Sequence, residues 1–243
     1  MKYTHKLNIS LIITGMLFFQ GCGNFHQSVL KNDLSAVERY LEKEDPPVNK
    51  KKNGTTPLII AAQYNYLEIA KRLIQNGADL KASNSYGMTA LHLAVREGHT
   101  TMALFLMEKG ADIHATSNGG YTPLYLACTN NRTQLARHLI ERGADVNKRS
   151  NNDMTSLHEA AFDGNLLIMD MLLEQGTDVN AVTKDNWTPL HYAVDRGHFY
   201  AVKKLLENGA DRNIATSKKT QTPLQLAEMK DYTNVIELLS EDK

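Results

Sequence analysis

The sequence predicts an all-α solenoid, a one-layer stack of helix–turn–helix units, about seven of them counting the ends. Three observations carry that expectation. A seven-residue unit recurs as TPLIIAA at 56–62, TALHLAV at 89–95, TPLYLAC at 122–128, TSLHEAA at 155–161, TPLHYAV at 188–194 and TPLQLAE at 222–228. Its leading threonine returns every 33 residues and, at the last step, after 34; self-similarity at a fixed period of this size marks a stacked array. Two apolar ladders keep the same period: Ala61, Ala94, Ala127, Ala160, Ala193 and Ala227, and behind them Leu73, Leu106, Leu139, Leu172, Leu205 and Leu239.

Taken in order, the chain begins with a segment unlike the rest. MKYTHK carries Lys2 and Lys6, and an apolar run of 11 residues follows at 9–19. That is the length of a signal-peptide core and too short to span a bilayer comfortably. Residues 1–21 are therefore expected to be a signal peptide. Their removal takes two of the 27 basic residues and no acids, leaving a formal net charge of −2. With 22% charged residues and so little net charge, composition points neither to disorder nor to nucleic acid.

Residues 22–50 are expected to hold the new N-terminus and a capping repeat. Residues 24–44 keep a helical pair without the TPLH unit, and Leu34, Val37, Tyr40 and Leu41 supply its apolar face. The array proper runs over 51–243. Threonine opens each inner helix by capping a free N–H, and a following proline fits the first turn. Leu190, Ala193 and Val194 then fall on one face. Gly77, Gly110, Gly143, Gly176 and Gly209 stand where the outer helices should stop. Gly98-His99, Gly164-Asn165 and Gly197-His198 mark turns between paired helices. Gly54, Gly87 and Gly120, in the turn before each inner helix, give way to Asp153, Asn186 and Thr220. Asn and Asp tolerate left-handed backbone, whereas threonine resists it, so the last turn is expected to depart from the others. At the C-terminus Ser240 replaces an apolar residue on the outer helix, and Leu239 is expected to be partly exposed on the last rung.

Chemistry is sparse. Beyond Cys22 there is one cysteine, Cys128, in the slot filled by Ala62, Val95, Ala161 and Val194. It reads as a small buried residue, with no disulfide framework around it. His92, His158 and His191 take the fourth place of the repeating unit, and His99 and His198 follow the turn glycines. One helix layer, ~10 Å, would separate equivalents in adjacent repeats, too far to share a zinc ion held ~2 Å from each nitrogen. No GxSxG, HExxH, phosphate loop or paired CxxC is present. Neither catalysis nor a metal, a cofactor or a small-molecule substrate is expected.

Two resemblances sharpen the reading. Phe19-Gln20-Gly21-Cys22 resembles the lipobox of bacterial lipoprotein signal peptides, which implies lipidation of Cys22 after cleavage and a lipid-anchored protein of the cell envelope. Gly23, where an aspartate would signal inner-membrane retention, implies the outer membrane, facing the periplasm. An ordinary secretory signal, releasing a secreted protein, is the alternative. Thr-Pro-Leu-His-x-Ala, Gly-His, paired leucines and Gly-Ala-Asp-x-Asn, as they stand from 24 to 242, resemble ankyrin repeats. The resemblance implies helix pairs joined by short β-hairpin-like fingers, histidines bonded within and between repeats, and a concave face that binds protein partners. That face is formed by finger residues ahead of each threonine and by the ends of the inner helices. Here it implies Tyr86, Met88, Tyr121, Phe162 and Trp187 as an apolar centre flanked by Arg96, Asp195 and Arg196, a mixture that binding hot spots favour. The expected function is a non-catalytic protein-interaction module; an inhibitor or immunity-type protein that blocks a secreted enzyme or toxin is the alternative.

Overall fold

The computed structural model describes residues 25–218 and 220–240. The expected signal segment and Cys22 lie outside them. Among the described residues the helices form seven pairs: α1 (Phe25–Leu30) with α2 (Leu34–Leu41), α3 (Pro57–Gln63) with α4 (Leu67–Gln75), α5 (Ala90–Glu97) with α6 (Thr100–Glu108), α7 (Pro123–Thr129) with α8 (Thr133–Glu141), α9 (Ser156–Asp163) with α10 (Leu166–Glu174), α11 (Pro189–Asp195) with α12 (Phe199–Glu207), and α13 (Pro223–Glu228) with α14 (Thr233–Ser240). Each helix packs on its own partner and on the adjacent pair, and the inner row runs from α1 to α13 without a break. No described helix is long and apolar enough to cross a membrane.

The inner helices start where the threonines stand. The hydroxyls of Thr56, Thr122 and Thr188 accept from the backbone N–H of Ile59, Tyr125 and His191, satisfying donors that a helix start leaves free. The outer helices end in left-handed glycines, with φ of 81° at Gly77 and 88° at Gly110. Both ladders are shut away from solvent. All six alanines and the five leucines from Leu73 to Leu205 are 0% exposed. Alanine lets the inner row pack closely, and leucine fills the wider outer layer.

The fingers are closed turns rather than strands. Two isolated bridges, Lys52 with Thr55 and Ser83 with Thr89, are the only β pairing among the described residues. The first finger is a two-residue turn with both central φ positive, at Asn53 (51°) and Gly54 (75°). Lys52 and Thr55 exchange both backbone hydrogen bonds across it, as in a type I′ hairpin. The next four are three-residue loops ending in a left-handed residue: Asn84 N–H donates to Met88 O, Ser117 to Tyr121, Ser150 to Met154 and Thr183 to Trp187. The last four fingers each also donate one backbone bond to the finger before, Asn118 to Tyr86 O, Asn151 to Gly119 O, Lys184 to Asn152 O and Ser217 to Asp185 O. That approach is close: a Cβ on Gly87 would fall 2.4 Å from Asn118 Oδ1.

Two expectations need correction. Thr220 does take the left-handed conformation, at φ 49°. The additional residue lengthens the turn so that Thr220 N–H bonds Thr216 O and Thr216 N–H reaches Gln221 O, and this closure holds a residue that would otherwise avoid the region. Leu239 is 3% exposed rather than partly open. Helix α14 lies on both α12 and α13, and Arg212 Nη1 ties down the Leu239 carbonyl at 3.0 Å.

Candidate interaction surface

The surface facing the fingers is built from two layers: the fourth-place residues that lock one repeat to the next, and the fifth-place residues that face outward from the inner helices. In three repeats the fourth residue is histidine. The backbone N–H of Thr89, Thr155 and Thr188 donates to Nδ1 of His92, His158 and His191 at 3.1, 3.0 and 3.2 Å. An Nδ1 that accepts carries no proton, so the neutral ring donates from Nε2. Those donors reach the carbonyls of Tyr121, Trp187 and Gln221, each on the next finger, at 3.0, 3.1 and 3.2 Å. Burial holds all three rings below the usual imidazole value, His158 at about 4. At the inter-helix turns His99 and His198 reach back, Nε2 to the carbonyls of Gln63 and Phe162 at 3.0 Å. The histidines bond within and between repeats, as the resemblance implied.

The other three copies of the unit carry Ile59, Tyr125 and Gln225 at this place, and one of these reaches a side chain of the next repeat. Tyr125 stands in the histidine's place, and its hydroxyl donates across to Glu159 Oε1 on α9 and lies 3.8 Å from Met154 Sδ. Glu159 is the one charged residue at the fifth place, where the other repeats carry Ile60, Leu93, Leu126, Tyr192 and Leu226. Burial pushes its carboxyl above the ordinary glutamate value; the Tyr125 hydroxyl works against the rise and Asp163 adds to it. Burial, with Glu159 second, likewise raises the Tyr125 hydroxyl far above the usual phenol range and pushes Tyr192 up to about 12.

Aromatic rings flank this carboxylate. On one side Tyr121 stacks on Tyr125 with centroids 4.8 Å apart. On the other, Tyr192 gathers Trp187 at 5.2 Å, His158 at 5.7 Å and Phe162 at 6.0 Å. The Arg196 guanidinium lies over the Phe162 face, 4.5 Å from its centroid, within the range of cation–π attraction. The structure thus brings Phe162, Trp187 and Arg196 together, with Tyr121 beside Tyr125.

The remaining expected residues stand differently. Tyr86 is 59% exposed at the tip of its finger. Met88 is buried at 8% exposure, a correction to its expected place on the surface. The hydrogen bond that closes its finger leaves its side chain against the core, where its sulfur lies 3.7 Å from Arg96 Nη1. Arg96 is itself held by Glu97 at 2.7 Å, and Asp195 pairs with Lys230 at 2.7 Å. Sequence reasoning missed Tyr125, Glu159 and Tyr192. The signal was available: they are the departures from histidine and from an aliphatic residue at fixed places in the unit.

The comparisons with known proteins agree with this architecture. The family model for ankyrin repeats matches at residues 25–117, 114–183 and 157–243. An ankyrin repeat protein of fowlpox virus is 41% identical over 51 residues, a match covering 21% of this chain and 7% of the viral protein. The chain therefore aligns with only a small part of that protein's length.

Proposed function

Because the chain belongs to the ankyrin-repeat family, we propose that it is a non-catalytic protein-interaction module, tethered to the bacterial envelope through a lipid on Cys22 and docking a protein partner on its concave face. The observation that carries the docking surface is the half-buried carboxylate of Glu159 set between aromatic rings on three adjacent repeats. Aromatic residues and arginine around a desolvated centre are what protein hot spots use, and several adjacent repeats can supply the ~800 Å² per side of a standard interface. The anchor rests on the sequence alone: a positively charged start, an 11-residue apolar core and Gly21-Cys22. It favours the outer membrane, facing the periplasm.

Two experiments test the two halves of this reading. A photo-crosslinking residue at Tyr86 of the full chain, in cells, should join one protein, while the same residue at Leu167, 63% exposed on outer helix α10, should not. Equal crosslinking from both positions would remove the concave face from the function. Palmitate labelling of the wild type and of Cys22→Ser separates the anchor: a signal that persists in Cys22→Ser overturns it.

A further inference from the structure

Glu159 carries the observation that the docking face leaves unexplained. Among the described residues no Lys, Arg or His pairs with it, and its one hydrogen bond is the Tyr125 hydroxyl on Oε1. Among the described residues every side-chain polar atom cut off from solvent has a partner, so the unbonded Oε2 is not fully cut off from solvent. Of the neighbouring acids, two have cationic partners and one does not. Asp195 pairs with Lys230 and Asp185 with Lys218 at 2.8 Å, while Asp163 accepts only from Asn131 Nδ2 at 2.8 Å. An anionic carboxylate in an apolar setting is costly unless a cation balances it. Alternatives at this place are cheap, since the other repeats fill it with Ile60, Leu93, Leu126, Tyr192 and Leu226.

From this geometry we infer that Glu159 is the anchor point for an arginine side chain of the partner protein, its guanidinium bonding Oε2 and lying against the tyrosine and tryptophan rings beside it. The inference deepens the docking reading above and rests on it. Four features favour arginine here. The rings of Tyr125 and Tyr192 flank the carboxylate from the two neighbouring repeats, with Trp187 packed on Tyr192, and a planar, weakly hydrated guanidinium stacks on ring faces where a compact ammonium does not. The face already holds one such contact, Arg196 over Phe162 at 4.5 Å. Tyr125 fixes Oε1 and so orients the carboxylate before the partner arrives, which lowers the ordering cost of binding. The second uncompensated acid, Asp163, adds negative potential from the same helix.

Trp187 is the only tryptophan in the chain and lies beside Tyr192, so its fluorescence reports on this spot. The purified full chain would be titrated with N-acetyl-arginine amide, its neutral isostere N-acetyl-citrulline amide, and N-acetyl-lysine amide. The expected result is a saturable response to the arginine compound, at least ~10-fold weaker for the other two and for Glu159→Gln with arginine, since citrulline and Glu159→Gln lose the charge-assisted pair and lysine loses the stacking on the rings. No response to the arginine compound, or an equal one to citrulline, overturns the inference; an equal response to lysine overturns the choice of arginine. Should Glu159→Gln fail to keep its helical circular dichroism, the citrulline comparison on the wild type decides alone. Because the probes need no partner, a silent titration beside positive crosslinking from Tyr86 removes the arginine anchor and leaves the docking face standing.

Discussion

The inner face of the array reads differently in its two halves. From α3 to α7 the fifth place is Ile60, Leu93 and Leu126, each no more than 6% exposed, and the surface there is an extension of the core. From α9 to α11 the same place holds Glu159 and Tyr192, and the core gives way to a polar, ring-lined patch. The backbone scarcely registers the change: the threonine caps, the buried alanines and the finger-to-finger hydrogen bonds run through both halves. Where each repeat touches only its neighbours, the ladders hold the shape and the outward places are free to carry recognition. The His-to-Tyr change at 125 and the aliphatic-to-Glu change at 159 are coupled across one interface, since one side chain bonds the other.

The largest expected effect lies in the ladder that both halves share. Leu139→Ala, on the outer helix beneath the junction of the two halves, should cost ~2–5 kcal/mol, as deletion of a buried leucine does. Leu239 is nearly as buried but among the described residues has a neighbouring repeat on one side only, so Leu239→Ala should cost clearly less. Urea titrations of both variants measure this. Equal losses would show that stability is set globally and that the halves cannot be treated as locally independent.

Acid should weaken both halves. His92, His158 and His191 stay neutral in the native state because burial holds their values low, while in the unfolded chain they protonate near the ordinary 6.5. The unfolded state then binds more protons, so stability is full above pH 6.5 and falls as pH drops. Each histidine contributes ~1.4 kcal/mol per pH unit until its native ring protonates, at about 4 for His158. Urea midpoints between pH 7 and 4.5 test the sign: a flat profile would mean that these rings carry a proton in the folded protein.

What the sequence disclosed follows the same division. The ladders, caps and stops were legible because a fixed period repeats them, and each repetition confirms the physical role of the last. The site was only partly legible because it lives in exceptions. Met88 shares a slot with Tyr121 and Trp187, yet its flexible thioether folds down onto the core, and variety at a slot does not distinguish a side chain that turns in from one that turns out. Tyr125 and Glu159 escaped because each departure by itself is a single break in a motif; only the 34-residue separation, one repeat plus one residue, makes them a pair. Leu239 was misplaced because its exposure depends on how α14 settles against α12 and α13, which no spacing encodes.

Trp187 and Tyr86 separate packing from recognition. Trp187 is half-buried against Tyr192 and His191, so Trp187→Ala should lose ~1–2 kcal/mol of stability as its ring's buried area is given up, along with partner binding. Tyr86, 59% exposed, should leave the melting temperature unchanged when replaced by alanine. Thermal melts of both variants, beside crosslinking efficiency, test this. A Trp187→Ala protein that melts with the wild type would place the ring free of the fold and enlarge the recognition surface toward α11.

The smallest effect concerns Glu159 and has the opposite sign to most substitutions. Burial raises its native value above the ordinary 4.5, so the carboxyl ionises more readily in the unfolded chain. The contribution of Glu159 to stability is therefore greatest at low pH, falls as pH rises from 4.5 through the raised native value, and is level above it. The facing groups do not reverse this: Tyr121, Tyr125 and Tyr192 stay neutral, buried Cys128 is raised to about 12, and Asp163 on the same helix adds to the rise. Glu159→Gln keeps an acceptor for the Tyr125 hydroxyl and removes the charge. At pH 7.5 it should melt slightly above the wild type, by ~1 kcal/mol or less, and the difference should close near pH 4, where both side chains are uncharged. A variant less stable than the wild type at pH 7.5 would mean that the carboxylate holds the two repeats together, and the contrast between the two halves would then be one of packing, with no site kept at a cost to the fold.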